Sequence, residues 1–142
     1  MANINKGLFT SSTDEWATPL SFFRTLEHEF GPFDLDPCAT PENAKAPKFY
    51  TREQNGLAQE WVGKVFMNPP YGRTIKEWVR KAYESRVACP LVVCLVPART
   101  CSAWWHDYIE GRAEVRFIRG RLKFGGAKWN APFPSAVVIY RG

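Results

Sequence analysis

Asn68-Pro69-Pro70-Tyr71 follows at once on the run Lys64-Val65-Phe66-Met67, and its four residues suit one chemistry in particular. An amine attached to an aromatic ring has its lone pair drawn into the ring. It is therefore a weak nucleophile that no side chain deprotonates easily. Acceptors that hold both of its N–H groups, and favour a tetrahedral nitrogen as charge develops, lower the barrier. The Asn68 side-chain oxygen and the Pro69 carbonyl can act as that pair. Two prolines stiffen the turn before a substrate arrives. Tyr71 offers a ring on which an extruded base can stack, worth roughly 1–3 kcal/mol, comparable with the few kcal/mol that unpairing a base costs. The plainer use of the same residues is a Pro-rich turn with an exposed tyrosine.

Chemistry of this kind needs strand ends to present it, and the chain supplies them. A helix is expected from Thr18, with Pro19 at its first helical position and Leu20, Phe23, Leu26 and Phe30 near helical spacing, stopped by Gly31-Pro32. A short strand Phe33–Leu35 leads into Asp36-Pro37-Cys38-Ala39, a second short strand is possible at Lys48–Thr51, and Asn55-Gly56 signals a turn. After the Asn68 motif, Thr74 and Glu77 spell a capping box for a helix with Ile75, Trp78, Val79 and Ala82 on one face. Leu91–Val96 reads as a buried strand, followed by Pro97–Thr100, a helix near Ser102–Glu110, and strands at Glu114–Ile118 and Ser135–Tyr140. Alternating strands and helices predict an α/β sheet, mostly parallel, whose final strand pair is antiparallel. Asp36–Ala39, Asn68–Tyr71 and Pro97–Thr100 all fall at strand carboxyl ends, where such sheets bind ligands.

Length and composition bound the partners. The 142 residues fit one domain, expected over residues 14–142 behind a polar arm at 1–13. Net charge is +5, which favours polyanions. The segment from Arg116 to Lys128 gathers Arg116, Arg119, Arg121, Lys123 and Lys128 with Phe124 and, just beyond, Trp129, a mixture suited to phosphate contact and base readout or else to an ordinary solvated hairpin. Arg73 and Arg99 lie beside the proposed strand-end site. Cys38, Cys89, Cys94 and Cys101 form no C-x-x-C pair and, with His28 and His106, show no zinc-like spacing. Reduced thiols and no metal are expected. No apolar stretch reaches membrane-spanning length and the first residues lack a signal-peptide core, so a cytoplasmic protein without a membrane partner is expected.

Taken together, Trp16-Ala17-Thr18-Pro19, Phe33-Asp34-Leu35-Asp36-Pro37-Cys38-Ala39, Asn55-Gly56-Leu57, Asn68-Pro69-Pro70-Tyr71-Gly72, Arg119–Phe124 and Pro132-Phe133-Pro134-Ser135 resemble the bacteriophage Dam-like DNA N6-adenine methyltransferases. The resemblance runs from about Asp14 to Tyr140. It implies a compact Rossmann-like fold, S-adenosylmethionine as methyl donor, and double-stranded DNA as partner in the cytoplasm of a bacterial or phage-infected cell. Residue by residue, it implies catalysis at Asn68, Pro69, Pro70 and Tyr71. It implies cofactor contacts at Trp16, Thr18, Pro19, Asp36, Pro37, Cys38, Ala39 and Asn55. DNA contacts fall to Arg73, Arg99, Arg119, Arg121, Lys123 and Lys128. The Asp36 loop departs from the usual form in having no glycine before Gly56. The Thr18 hydroxyl suits the cofactor carboxylate and a helix cap equally. Glu42 is a candidate for the ribose hydroxyls. An RNA amine, a protein glutamine amide or cytosine N4 has the same needs as adenine N6, and a non-catalytic nucleic-acid-binding module is the reading from another class.

Overall fold

The structure is a computed structural model that describes residues 17–124 and 130–142. Trp16, Lys128, Trp129 and the arm at 1–13 lie outside the described residues. Helix α1 spans Leu20–Phe30 and buries Phe23, Leu26 and Phe30. It begins after Pro19, which has the extended backbone of a residue outside the helix and no capping side chain. The helix so starts later than Thr18, and Thr18 is not its cap. Strands β1 (Leu35–Asp36) and β2 (Lys48–Phe49) are two residues each, followed by a 3-10 turn at Gly56–Ala58 and strand β3 (Lys64–Met67). Helix α2 (Ile75–Ser85) buries Ile75, Trp78, Val79 and Ala82, the predicted face. The capping box is not formed, because Thr74 is itself in helical conformation and its side chain caps nothing. Strand β4 (Leu91–Pro97), helix α3 (Ala103–Tyr108), and strands β5 (Glu114–Phe117) and β6 (Ser135–Arg141) complete the order. Ser102 caps α3 by accepting from the Trp105 N–H at 3.3 Å.

The strands form one sheet in the order β2-β1-β3-β4-β6-β5. β2, β1, β3 and β4 run parallel, while β6 runs antiparallel to both β4 and β5. The mixed, mostly parallel α/β sheet expected from the sequence is therefore present. β4 is buried over its whole length, as a central strand with both faces covered must be, and β6 is buried from Ser135 to Tyr140. This long pair is the spine of the core.

The chain leaves β1 for β2 on one side and returns to β3 on the other. A crevice forms at such a reversal, beyond the carboxyl ends of the two strands. Those ends are Asp36 and Met67-Asn68, which is what places two predicted motifs side by side.

Leu95, in the middle of β4, has no exposed surface. Leu95→Ala should cost about 2–5 kcal/mol through forfeited transfer energy and a residual cavity. Urea unfolding of the two proteins measures this difference.

Candidate active site

A cavity of about 590 Å3 opens over the β1 and β3 ends. Its wall includes Thr18, Asp36, Pro37, Cys38, Ala39, Asn55, Asn68, Pro70 and Arg73, residues spread widely along the sequence and all anticipated from it. Pro19, Pro69, Tyr71 and Arg99 do not line it. Asn43, Lys45, Arg52, Gly56, Phe66 and Trp78 do, and sequence reasoning gave none of them a site role. The Asn55-Gly56 turn signal could have pointed to Gly56, and Trp78 carries only the signal of a core residue.

Asp36 closes strand β1 and is 4% exposed. Its Oδ1 accepts from the Cys38 N–H at 3.4 Å and its Oδ2 from the Lys45 N–H at 3.0 Å. The carboxylate thus folds its own loop, which takes over the shaping that a glycine-rich turn does by backbone freedom. Burial pushes its pKa up to about 6, against the lowering effect of those two N–H groups and of the Lys45 charge. Gly56 packs so tightly under the same loop that a β-carbon there would collide with the Pro37 carbonyl. Asn55, left-handed at φ 56°, turns its side chain back to accept from the Leu57 N–H at 3.3 Å. Glu42 is exposed and absent from the wall, where among the described residues Asp36 is the one carboxylate beside Lys45, Arg52 and Arg73. The ribose role considered for Glu42 is therefore withdrawn.

Asn68 is held from two directions. Its Nδ2 donates to the Thr18 hydroxyl at 2.9 Å, and its carbonyl accepts from the Cys38 thiol at 3.1 Å. With the amide nitrogen turned to Thr18, the amide oxygen is the end that can receive a substrate donor. That oxygen is buried. Thr18 caps no helix, and its hydroxyl accepts from Asn68.

Tyr71 corrects the expectation of an open stacking surface. It is 4% exposed, its hydroxyl donates to the Leu95 carbonyl at 3.2 Å, and Phe124 and Phe133 stand edge-on or tilted to it at 6.1 and 5.4 Å between ring centroids. Burial raises its phenol well above the ordinary value, so it stays a neutral donor. A turn at a strand end places this ring against the segment returning from β5, and packing there covers it.

Of the basic residues, Arg73 is on the cavity wall and Arg99 follows the β4 end, near enough to Tyr71 for its charge to act on the phenol. Arg121 and Lys123 line a separate open groove with Pro19, Ser21, Phe22, Thr25, Leu122 and Asn130. Thr18 is on the cavity wall and Pro19 in the groove, so the two features meet at one peptide. Arg119 is exposed outside both. Arg116 sits on β5 and is engaged by Glu29 at 2.6 Å and Glu114 at 2.8 Å, which removes it from the basic loop.

The raised Asp36 pKa has a thermodynamic consequence. Between its unfolded value near 3.8 and its folded value of about 6, the folded chain binds the extra proton. Asp36 thus contributes stability below pH 4 that is lost as pH rises through 6, at most about 3 kcal/mol. Asp36→Asn should flatten this slope. Thermal melts across pH 4–7 should show wild type losing stability relative to the variant as pH rises.

Comparison with known sequences shows the family. A family model described as DNA N-6-adenine-methyltransferase (Dam) matches residues 6–137. A protein of Escherichia phage T1 named DNA N-6-adenine-methyltransferase is 37% identical over 112 residues, covering 77% of this chain and 46% of its own. One of Haemophilus phage HP1 with the same name is 34% identical over 117 residues, covering 80% of this chain and 68% of its own. The Escherichia coli protein YfdM, named a methyltransferase, is 42% identical over 65 residues, 41% of this chain and 71% of its own. The chain thus spans about half the length of the phage T1 protein and about two thirds of the phage HP1 protein. A solved structure from Thermoplasma acidophilum aligns over 86% of this chain and 87% of its own at 12% identity and a TM-score of 0.45, too distant to bear on function. With nearly its whole length matched, the chain belongs to the DNA N-6-adenine-methyltransferase (Dam) family.

Proposed function

We propose that this chain transfers a methyl group from S-adenosylmethionine to the N6 amine of adenine in double-stranded DNA, on a sheet of the Rossmann-like methyltransferase kind. The observation that carries this is the convergence of Asn68, with its amide nitrogen tied back to Thr18, and the Asp36–Ala39 loop on one cavity. About 590 Å3 is within the range that holds a ligand of nucleoside size. The wall carries both signs of charge, with the Asp36 carboxylate beside Arg52, Arg73 and Lys45. S-adenosylmethionine supplies an electrophilic methyl group when bound there.

The chain's own residues do the remainder. Asn68 Oδ1 and the Pro69 carbonyl accept the two N–H groups of the adenine amine, which localises the nitrogen lone pair toward the methyl carbon. On transfer the methyl–sulfur bond of the donor would break as the N–C bond forms, leaving S-adenosylhomocysteine, and the nitrogen would become positive and then release one proton to water. Acceptors set beforehand in a partly buried turn stabilise that charge without rearranging. Arg121 and Lys123 bring phosphate toward the cavity mouth through the groove that begins at Pro19.

Labelled S-adenosylmethionine incubated with unmethylated DNA, RNA and cell protein in parallel should label DNA, and nucleoside mass spectrometry should find N6-methyladenine. Asn68→Ala should lower the transfer rate by about 10²–10³ while calorimetry shows cofactor affinity nearly intact. A fully active variant would exclude this mechanism.

Replacing Arg121 and Lys123 together by alanine should weaken DNA binding at low salt without changing cofactor binding. The slope of log affinity against log salt should also flatten, by roughly 0.9 for each phosphate that is no longer neutralised. Equal slopes for both proteins in a salt titration would show that the groove is only a solvated edge.

A further inference from the structure

Strand β6 opens on a hydroxyl and continues through the buried apolar run Ala136-Val137-Val138-Ile139. Ser135 is 1% exposed, and its Oγ is buried with no hydrogen-bond partner among the described residues. A buried hydroxyl in that condition costs stability that an alanine in the same place would avoid. A contact with substrate is one reason to keep such a group. The sheet register shows which way it faces. Ser135 pairs with Pro97, Val137 with Leu95 and Ile139 with Val93, and Val93 pairs in turn with Phe66. Partners across a ladder share a face. The Phe66 ring packs against Phe23 of α1, so Ser135 lies on the α1 face of the sheet. Asn68, two residues beyond Phe66, reaches Thr18 just ahead of α1 and is on that face as well. The two side chains therefore stand on one face at the same rim, two strand spacings apart, roughly 10 Å. Tyr71 lies between them. Its hydroxyl bonds the Leu95 carbonyl on the intervening strand, and Phe133 stands edge-on to its ring at 5.4 Å between centroids.

We infer that the Ser135 hydroxyl donates to a ring nitrogen of the base whose amine is held at Asn68, and so gives the extruded adenine a second point of attachment. The exocyclic amine of adenine is flanked by N1 and N7, both acceptors without a proton. A hydroxyl has one proton to give, so one of the two is its partner. A purine is of the size to bridge the rim between Asn68 and Ser135 once a hydrogen bond is made at each end. Phe133, half-buried against Tyr71 and two residues ahead of Ser135, is the side chain that yields to admit the ring. Held at Asn68 alone, the base could still swing. Held at both ends, it keeps its amine aimed at the donor methyl group. A base with N–H at the contacted position would set donor against donor and be refused. No proton changes owner in this contact. The inference rests on the proposed function, because it needs an adenine with its amine at Asn68.

The test is a cycle of enzyme and base variants on duplex DNA containing a site first mapped as methylated by wild type. The target adenine is replaced by 1-deazaadenine or by 7-deazaadenine, each of which exchanges one acceptor nitrogen for C–H. On adenine, Ser135→Ala should lower kcat/KM about tenfold, as the loss of one hydrogen bond does. On the analogue that lacks the contacted nitrogen, wild type and variant should be equal, because each has lost the same bond. On the other analogue the tenfold gap should persist. Effects of an analogue on pairing or extrusion cancel, since both enzymes meet them. Ser135→Cys, of similar volume but a weaker donor, should follow Ser135→Ala. Without DNA, Ser135→Ala should melt at or above the wild-type temperature, because it loses only a buried hydroxyl with no partner. A gap undiminished on both analogues, or no gap on adenine, would overturn the inference and leave the proposed function standing. A Ser135→Ala protein that melts several degrees lower would do the same, by showing that the hydroxyl serves the fold. If wild type leaves no N6-methyladenine in DNA, the proposed function fails and this inference with it.

Discussion

The site depends on one constraint: the residue that follows β3 is gripped through both its side chain and its backbone. Thr18, ahead of α1, takes the amide nitrogen of Asn68, and Cys38, beyond β1, takes its carbonyl. Neither partner belongs to the strand that carries Asn68. The sheet brings them together because β1 and β3 are neighbours whose ends lie at the same edge. A shift of either flanking segment is felt at the amide.

A second layer supports this grip from below. Asp36 spends both carboxylate oxygens on its own loop, and Gly56 lets the 3-10 turn press against Pro37 with no side chain between them. The Trp61 indole donates to the Gly56 carbonyl at 2.9 Å and stacks toward Trp78, itself on the cavity wall. Part of the aromatic content is therefore scaffold for the loop rather than a binding surface. The cost is a carboxylate held in a dry place, visible in its raised pKa.

Much of the fold was legible because its signals are local. The runs at Lys64–Met67 and Leu91–Val96 are strands, and the Ile75, Trp78, Val79 and Ala82 spacing gives the buried face of α2. The cavity motifs at Thr18, Asp36–Ala39, Asn55 and Asn68 were also legible, since strand ends are where an α/β sheet gathers ligand groups. What could not be read is contact between distant residues. A hydroxyl meeting an amide leaves no periodic trace, so the Thr18–Asn68 hydrogen bond has no signal in the sequence. The burial of Tyr71 depends on Phe124 and Phe133 coming back from a segment whose path local sequence does not encode. The Thr74 capping box failed for a related reason: the turn from Gly72 to Ile75 already fixes Thr74 in helical conformation.

The excursion between β5 and β6 is tied at its base. Ile118 N–H donates to the Ser135 carbonyl at 3.1 Å, and Ala98 N–H donates to the Pro134 carbonyl at 2.9 Å. Chain that departs and returns through a fixed gate can lengthen cheaply, at roughly 0.6 kcal/mol for each doubling of a flexible loop. The sheet and the grip on Asn68 lie on the far side of that gate. Insertions in the excursion can therefore accumulate at little cost to the sheet.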